Sequence, residues 1–270
     1  MLFSDLALAR RLERAEGHAC RQFAEARRKL FPASDSCWME CAGAQVVFDG
    51  IDSPVTQTFG LGIFEELTDT SLDVIERFFF DRGAPVDHEV SPLAGVAALC
   101  LLCARHYRPV EISSVMYRLV EEPPAEMTSN ITVRVAGAEE AHLWAEVSAK
   151  GWTHDHPELA GSLQQFGAIA FARDHGPCFL AGVDGLPGAA GALWIHEGVA
   201  LFSGAATIPE LRRRGLQSAL LQERMRYAFD HGCDLAMMVA EAGSESQRNA
   251  ERKGFRIAYT RTKWRLGITD

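Results

Sequence analysis

Basic side chains are in deficit in this chain, which carries 27 Lys and Arg against 36 Asp and Glu for a formal net charge of -9. A nucleic-acid or anionic-membrane surface needs a basic face, so the deficit argues against both kinds of partner. Long hydrophobic runs are also missing. The longest, Leu93 to Ala104, falls well short of the ~18 to 20 apolar residues that cross a bilayer and reads as a buried helix. Metal-ligand spacing is absent too: Cys100 and Cys103 have no second pair, Cys37 and Cys41 lack a following His pair, and His154 with His156 has no further ligands, so no metal is expected. The seven cysteines read as reduced, buried or incidental thiols. The first thirty residues mix acids and bases without the basic, apolar and cleavage regions of a signal peptide, so the expected compartment is the cytoplasm.

What is present is an alternation. The first thirty residues read as one helix ending at Phe31-Pro32. "AQVVFDG" and "VTQTFGLGIF" follow as strands, "SLDVIERFFFDRG" as a helix between Ser71 and Gly83, "DHEV" as a strand, then the Leu93 helix and the strand "EISSVMYRLV". The polar, two-proline stretch Glu121 to Asn130 reads as a linker. Beyond it come the strand "ITVRV", helices across Glu139 to Arg173, the strand "CFLAGV", a hairpin turning at His196-Glu197-Gly198, a helix after Gly215, the strand "DLAMMV", the helix "SESQRNAERK" and the strand "FRIAYTRTKW". Such alternation predicts an α/β (α+β) fold, a mixed sheet covered by helices.

The two halves align. "RFFFDRGAPVDHEV" from Arg77 matches "RYAFDHGCDLAMMV" from Arg226, and one gap later Arg105 falls on Lys253 and Arg108 on Arg256, which predicts a tandem duplication. The halves differ where "RRRGLQ", Arg212 to Gln217, faces "IFEELT". A glycine opening a helix offers unpaired N–H groups and the positive end of the helix dipole, and forked arginine donors beside it suit phosphate oxygens. A diphosphate fits there.

"PELRRRGLQSALL" after a strand resembles the R/Q-x-x-G-x-G/A signature of the GNAT N-acetyltransferase superfamily, with Arg212 and Gly215 in its first two places and Gln217 replacing the usual Gly or Ala. The resemblance covers Ile131 to about Leu266. It implies two tandem GNAT-like domains, each a mostly antiparallel twisted sheet flanked by helices: a degenerate copy over 1–122, a linker over 123–130, and an acetyl-CoA-binding domain over 131–270. The family's roles place Ala206 and Thr207 at the pantetheine arm and thioester carbonyl, and Arg212, Arg213, Arg214, Gly215, Leu216, Gln217 and Ser218 at the pyrophosphate. Asn249 lies on a helix where the family often contacts the cofactor, although the usual asparagine aligns nearer Gly243. The family's frequent tyrosine acid aligns with Ala250.

Acetyl transfer to a primary amine, whose pKa is about 10, requires a base. Glu241, directly after "DLAMMV", is the first candidate, followed by His196 and Glu197. Tyr259 and Tyr227 remain as acids, though a thiolate with pKa near 8.5 leaves without a strong one. The expected activity is N-acetyl transfer from acetyl-CoA to a small amine by direct attack in a ternary complex, performed by a monomer or homodimer. The rival expectation is an acyl-CoA sensor or scaffold without turnover.

Overall fold

Asp5 starts the first helix. Its carboxylate accepts the Leu8 N–H at 2.9 Å, and Leu8, Leu12, Ala15, Ala19, Phe23 and Ala26 recur at helical spacing on the buried face of α1, Leu6–Leu30. The computed structural model describes residues 2–122, 130–154, 157, 160–174 and 176–267. Most of the expected linker, and His156, lie outside them. The chain divides into two units, Met1–Arg118 with Met237–Asp270, and Leu119–Ala236.

In the first unit α1 is followed by β1 (Cys37–Cys41), β2 (Ala44–Phe48), β3 (Gln57–Phe59), α2 (Asp69–Phe80), β4 (Val86–Val90), α3 (Gly95–Ala104) and β5 (Arg108–Leu119). Strand β1 is not foreseen in the sequence, because Cys37–Cys41 alternates poorly; the Ala42-Gly43 turn, with both φ positive, folds it back on β2. The same unit takes in β10 (Leu235–Glu241) from Met237 onward, α7 (Glu245–Arg252) and β11 (Arg256–Leu266) from the far end of the chain. The strand order is β1-β2-β3-β4-β11-β5-β10. Strand β11 therefore lies between β4 and β5, antiparallel to both. β3 and β4 are parallel.

On one face of this sheet Leu72, Ile75, Phe79, Val86, Val90, Leu102 and Tyr107 form an apolar core under α2 and α3. On β11, Arg261 is 2% exposed and forms ion pairs with Glu13, Glu16 and Glu89. Removing one charge from such a cluster strands the rest, at about 3 to 5 kcal/mol. One expectation is corrected here. The Leu93 to Ala104 run is not a buried helix: α3 buries only Ala98 and Leu102, Val96 is 75% exposed, and Cys100 and Cys103 face solvent. Its apolar residues run all round the axis, and packing on one side covers only one stripe of them.

The second unit contains β6 (Ile131–Val135), α4 (Ala141–Thr153), α5 (Ala160–Phe171), β7 (Cys178–Val183), β8 (Leu186–His196), β9 (Val199–Thr207) and α6 (Leu216–Asp230), with the strands ordered β9-β8-β7-β6, all antiparallel. Two-residue turns join β7 to β8 at Asp184-Gly185 and β8 to β9 at Glu197-Gly198, every one of these residues having positive φ. Strand β7 is buried throughout, as a sheet covered on both faces requires. Across the chain the described residues form mixed sheet flanked by helices, and no helix among them is long and apolar enough to cross a membrane.

Candidate active site

The end of β9 and the start of α6 meet through a tightly fitted loop. Ala206 opposes Ala190 and Ser203 opposes Ala192, so Gly191 alone faces two residues, Gly204 and Ala205. This is a β-bulge, and Gly204 takes its positive φ of 61°. Beyond Thr207 the Ile208 N–H donates to the Gly188 carbonyl at 2.9 Å, and a short turn over Pro209–Leu211 leads toward the helix. A Cβ on Gly188 would lie 2.3 Å from Leu211 Cδ1, so a larger residue there would force the leucine side chain to shift. Helix α4 comes equally close, because a Cβ on Gly151 would lie 2.6 Å from that of Ala206.

The cations of this loop divide into two kinds. Arg212 turns inward, its Nε donating to the Thr207 carbonyl at 3.3 Å and its Nη2 to the Gly151 carbonyl at 3.2 Å. Arg213, at a strained φ of 62°, and Arg214 are exposed. Arg214 pairs with Asp184 at 3.0 Å; both groups are well solvated, so the pair contributes less than about 1 kcal/mol and yields readily to a stronger anion. Gly215 opens α6 with φ 87° and no side-chain cap. Gln217 Nε2 donates to the Thr207 hydroxyl at 2.7 Å, which is how the loop accommodates a side chain where the signature has a small residue.

The corresponding stretch of the first unit is built differently. Helix α2 is closed by Thr68 and Ser71, whose side chains and backbone groups satisfy one another reciprocally. Glu65 and Glu66 are exposed just before it. Phe64 fills the space that Cβ atoms on Gly43 and Gly60 would need, 2.4 and 2.6 Å from them. An anion at α2 would meet two carboxylates and an occupied helix end.

Ala206, Thr207 and residues 212–218 thus come together in the second unit. Glu241 and Asn249 belong to the first unit, both exposed, at the end of β10 and on α7. Gly243, the other position for the asparagine, donates its N–H to Gln247 at 2.9 Å. Tyr259 is a correction. Its hydroxyl donates to Glu13 at 2.9 Å in the buried cluster of β11 and α1, and burial together with the Glu13 charge pushes its pKa well up. Facing the core, it serves that cluster rather than a departing thiolate. Tyr227 stacks on His231 with ring centres 3.8 Å apart. His196 and Glu197 form the hairpin end, 3.9 Å from each other. Gly151, Gly188 and Arg224 escaped the sequence reading. A glycine inside an amphipathic helix signals the first, and a charge on the apolar stripe Leu216, Leu220, Arg224, Ala228 signals the last.

Residues 139–255 match the Acetyltransferase (GNAT) family. The chain carries a GNAT acetyltransferase domain. The two loops just described fall one inside and one outside that match. Solved structures agree on the fold. The GCN5-related N-acetyltransferase from Kribbella flavida superposes with a TM-score of 0.64 at 19% identity, over 93% of this chain and 96% of that one. The GCN5-related N-acetyltransferase from Sphaerobacter thermophilus gives 0.54 at 19%, over 79% and 74%. A tandem GNAT protein from the clavulanic acid biosynthesis pathway gives 0.55 at 13%, over 78% and 72%. Among curated proteins none matches. The uncapped start of α6 and the outward arginines occupy the stretch where the signature lies, and the bulge of β9 precedes it.

Proposed function

We propose that the GNAT domain binds one acetyl-CoA per chain at the end of β9 and the start of α6, and transfers its acetyl group to the primary amine of a small acceptor by direct attack. The observation that carries this reading is the contrast between two helix starts: Gly215 leaves α6 uncapped beside Arg213 and Arg214, whereas Thr68 and Ser71 close α2 beside Glu65 and Glu66. Backbone N–H groups and forked cations suit a diphosphate, and the bulge at Gly204 and Ala205 leaves backbone groups outside the β8–β9 ladder to receive the pantetheine arm and thioester. A covalent acyl-cysteine finds no support in Cys178 or Cys233, since burial raises these thiols to about 12 and about 11 and keeps them protonated. Glu241 is the proposed base, and the thiolate leaves without a tyrosine.

The occupied Tyr259 hydroxyl and the apolar Ala250 favour one alternative, an acyl-CoA sensor without turnover. Calorimetry with acetyl-CoA and a thiol-release screen over an amine panel test both. Binding near one per chain with thiol release supports transfer. Binding without release from any amine leaves the sensor, and absence of binding overturns the two together.

A further inference from the structure

Arg224 is a buried cation that no carboxylate offsets. It lies on α6 at the third position of the stripe Leu216, Leu220, Arg224, Ala228, is 3% exposed, and takes part in no ion pair among the described residues. Burial alone lowers its guanidinium to about 10. Removing a guanidinium from water costs several kcal/mol, and a leucine or methionine here would fill the same stripe without that cost. Its partners are backbone carbonyls: Nε donates to Leu220 at 3.3 Å, and Nη1 donates to Ala192 at 3.2 Å and to Ser203 at 3.4 Å. The guanidinium carbon also lies 5.0 Å from the centre of the Phe202 ring.

The Ala192 and Ser203 carbonyls belong to the pair next to the bulge, and Gly191 is the single residue opposite Gly204 and Ala205. Gly191 also makes room for the guanidinium, because a Cβ there would stand 3.3 Å from its Cζ and Nη1. A bulge leaves ladder groups unpaired, and a buried carbonyl without a donor costs about 1 to 3 kcal/mol. Arg224 Nη1 alone donates to two carbonyls beside the bulge, one from each strand, and so ties their spacing together.

We propose that Arg224 is a positioning residue for acetyl transfer: by bonding the Ala192 and Ser203 carbonyls beneath Gly191 it holds the bulge of β9 open, and so aims the backbone of Ala206 and Thr207 at the thioester. This rests on the function proposed above. It separates binding from alignment, since the pyrophosphate is held by a different stretch, the loop before α6. Loss of Arg224 leaves cofactor affinity nearly unchanged and spoils the polarisation of the thioester.

The test uses the full chain, acetyl-CoA labelled with carbon-13 at the thioester carbonyl, and unlabelled CoA. In the wild type the carbonyl resonance moves on binding. In Arg224→Met, CoA binds within about threefold of the wild type while at least about half of that movement is lost, because affinity and alignment rest on different contacts. Gly191→Ala, which keeps the arginine but presses on it, gives a smaller loss in the same direction and decides the matter if Arg224→Met does not fold. An unchanged carbonyl resonance in the folded variants overturns the role of Arg224 while the function stands. A wild type that binds no acetyl-CoA overturns the function and this proposal with it.

Discussion

Arg261 stands directly across the β5–β11 ladder from Ser113, its Nε donating to the serine hydroxyl at 3.3 Å, and the ladder is symmetric about that pair. The alignment that carries Arg108 onto Arg256 carries Ser113 onto Arg261 itself. Every other pair then has its image: Arg256 with Tyr117 answers Arg265 with Arg108, Ile257 with Met116 answers Trp264 with Pro109, Tyr259 with Val115 answers Lys263 with Glu111, and Thr260 with Ser114 answers Thr262 with Ile112. The irregularities match as well, with Ala258 skipped on one strand and Val110 on the other. Two copies of one strand pair as in an isologous two-fold interface, so the repeat seen in the sequence has a structural counterpart.

That exchange makes the first unit dependent on the end of the chain. A fragment of residues 1–122 lacks the strand that separates β4 from β5 and should show no cooperative thermal unfolding, whereas the same fragment with a 237–270 peptide should regain it. A fragment that melts cooperatively by itself, within a few degrees of the mixture, would contradict the dependence.

His88 gives the protein an acid-sensitive core. It is fully buried, its Nε2 lies 3.0 Å from the Tyr107 hydroxyl, and that hydroxyl donates to Glu76 at 3.1 Å, which makes the imidazole a donor at Nε2. Burial lowers its pKa to about 3. A depressed pKa contributes stability that is fully present above the unfolded value near 6.5 and is lost as pH falls toward 3. At pH 4.5 the loss should reach about 2 to 3 kcal/mol. Urea titrations at pH 7 and pH 4.5 should show a smaller pH-dependent loss in His88→Gln than in the wild type, and equal losses would refute the assignment.

Reversing one outward cation should weaken the cofactor. Arg214→Glu places a carboxylate beside the diphosphate and should raise the Kd for acetyl-CoA at least about tenfold, equivalent to about 1.4 kcal/mol. Asp184→Asn, which frees Arg214, should bind as well as the wild type or better. If both variants bind like the wild type, the loop is a solvated turn.

Glu241→Gln should lower kcat by ~10² or more at neutral pH with little change in acetyl-CoA binding, as loss of a general base requires. An unchanged pH–rate profile would remove Glu241 from the mechanism and return the role to His196, Glu197 or water.

The sequence by itself determined what local chemistry controls. Gly215 opening one helix and the hairpin at His196-Glu197-Gly198 are each written within a few residues, because caps and tight turns are satisfied by neighbours in the chain; Ser71, read as opening another helix, instead sits at its third position beneath the Thr68 cap. The asymmetry between "RRRGLQ" and "IFEELT", on which the proposed anion site rests, was legible in the same way. Tertiary structure alone decided the rest. Strand periodicity marks which residues face a core but not which edge a strand joins, so nothing in "FRIAYTRTKW" announces that β11 enters between β4 and β5. Burial on α3 likewise depends on what else packs there, and an all-apolar helix such as Leu93 to Ala104 reads as buried from any side. The inward turn of Arg212 and the bonding of Arg224 beneath the bulge are decided by where distant carbonyls fall, since a guanidinium is held by whichever acceptors the folded backbone brings within its reach.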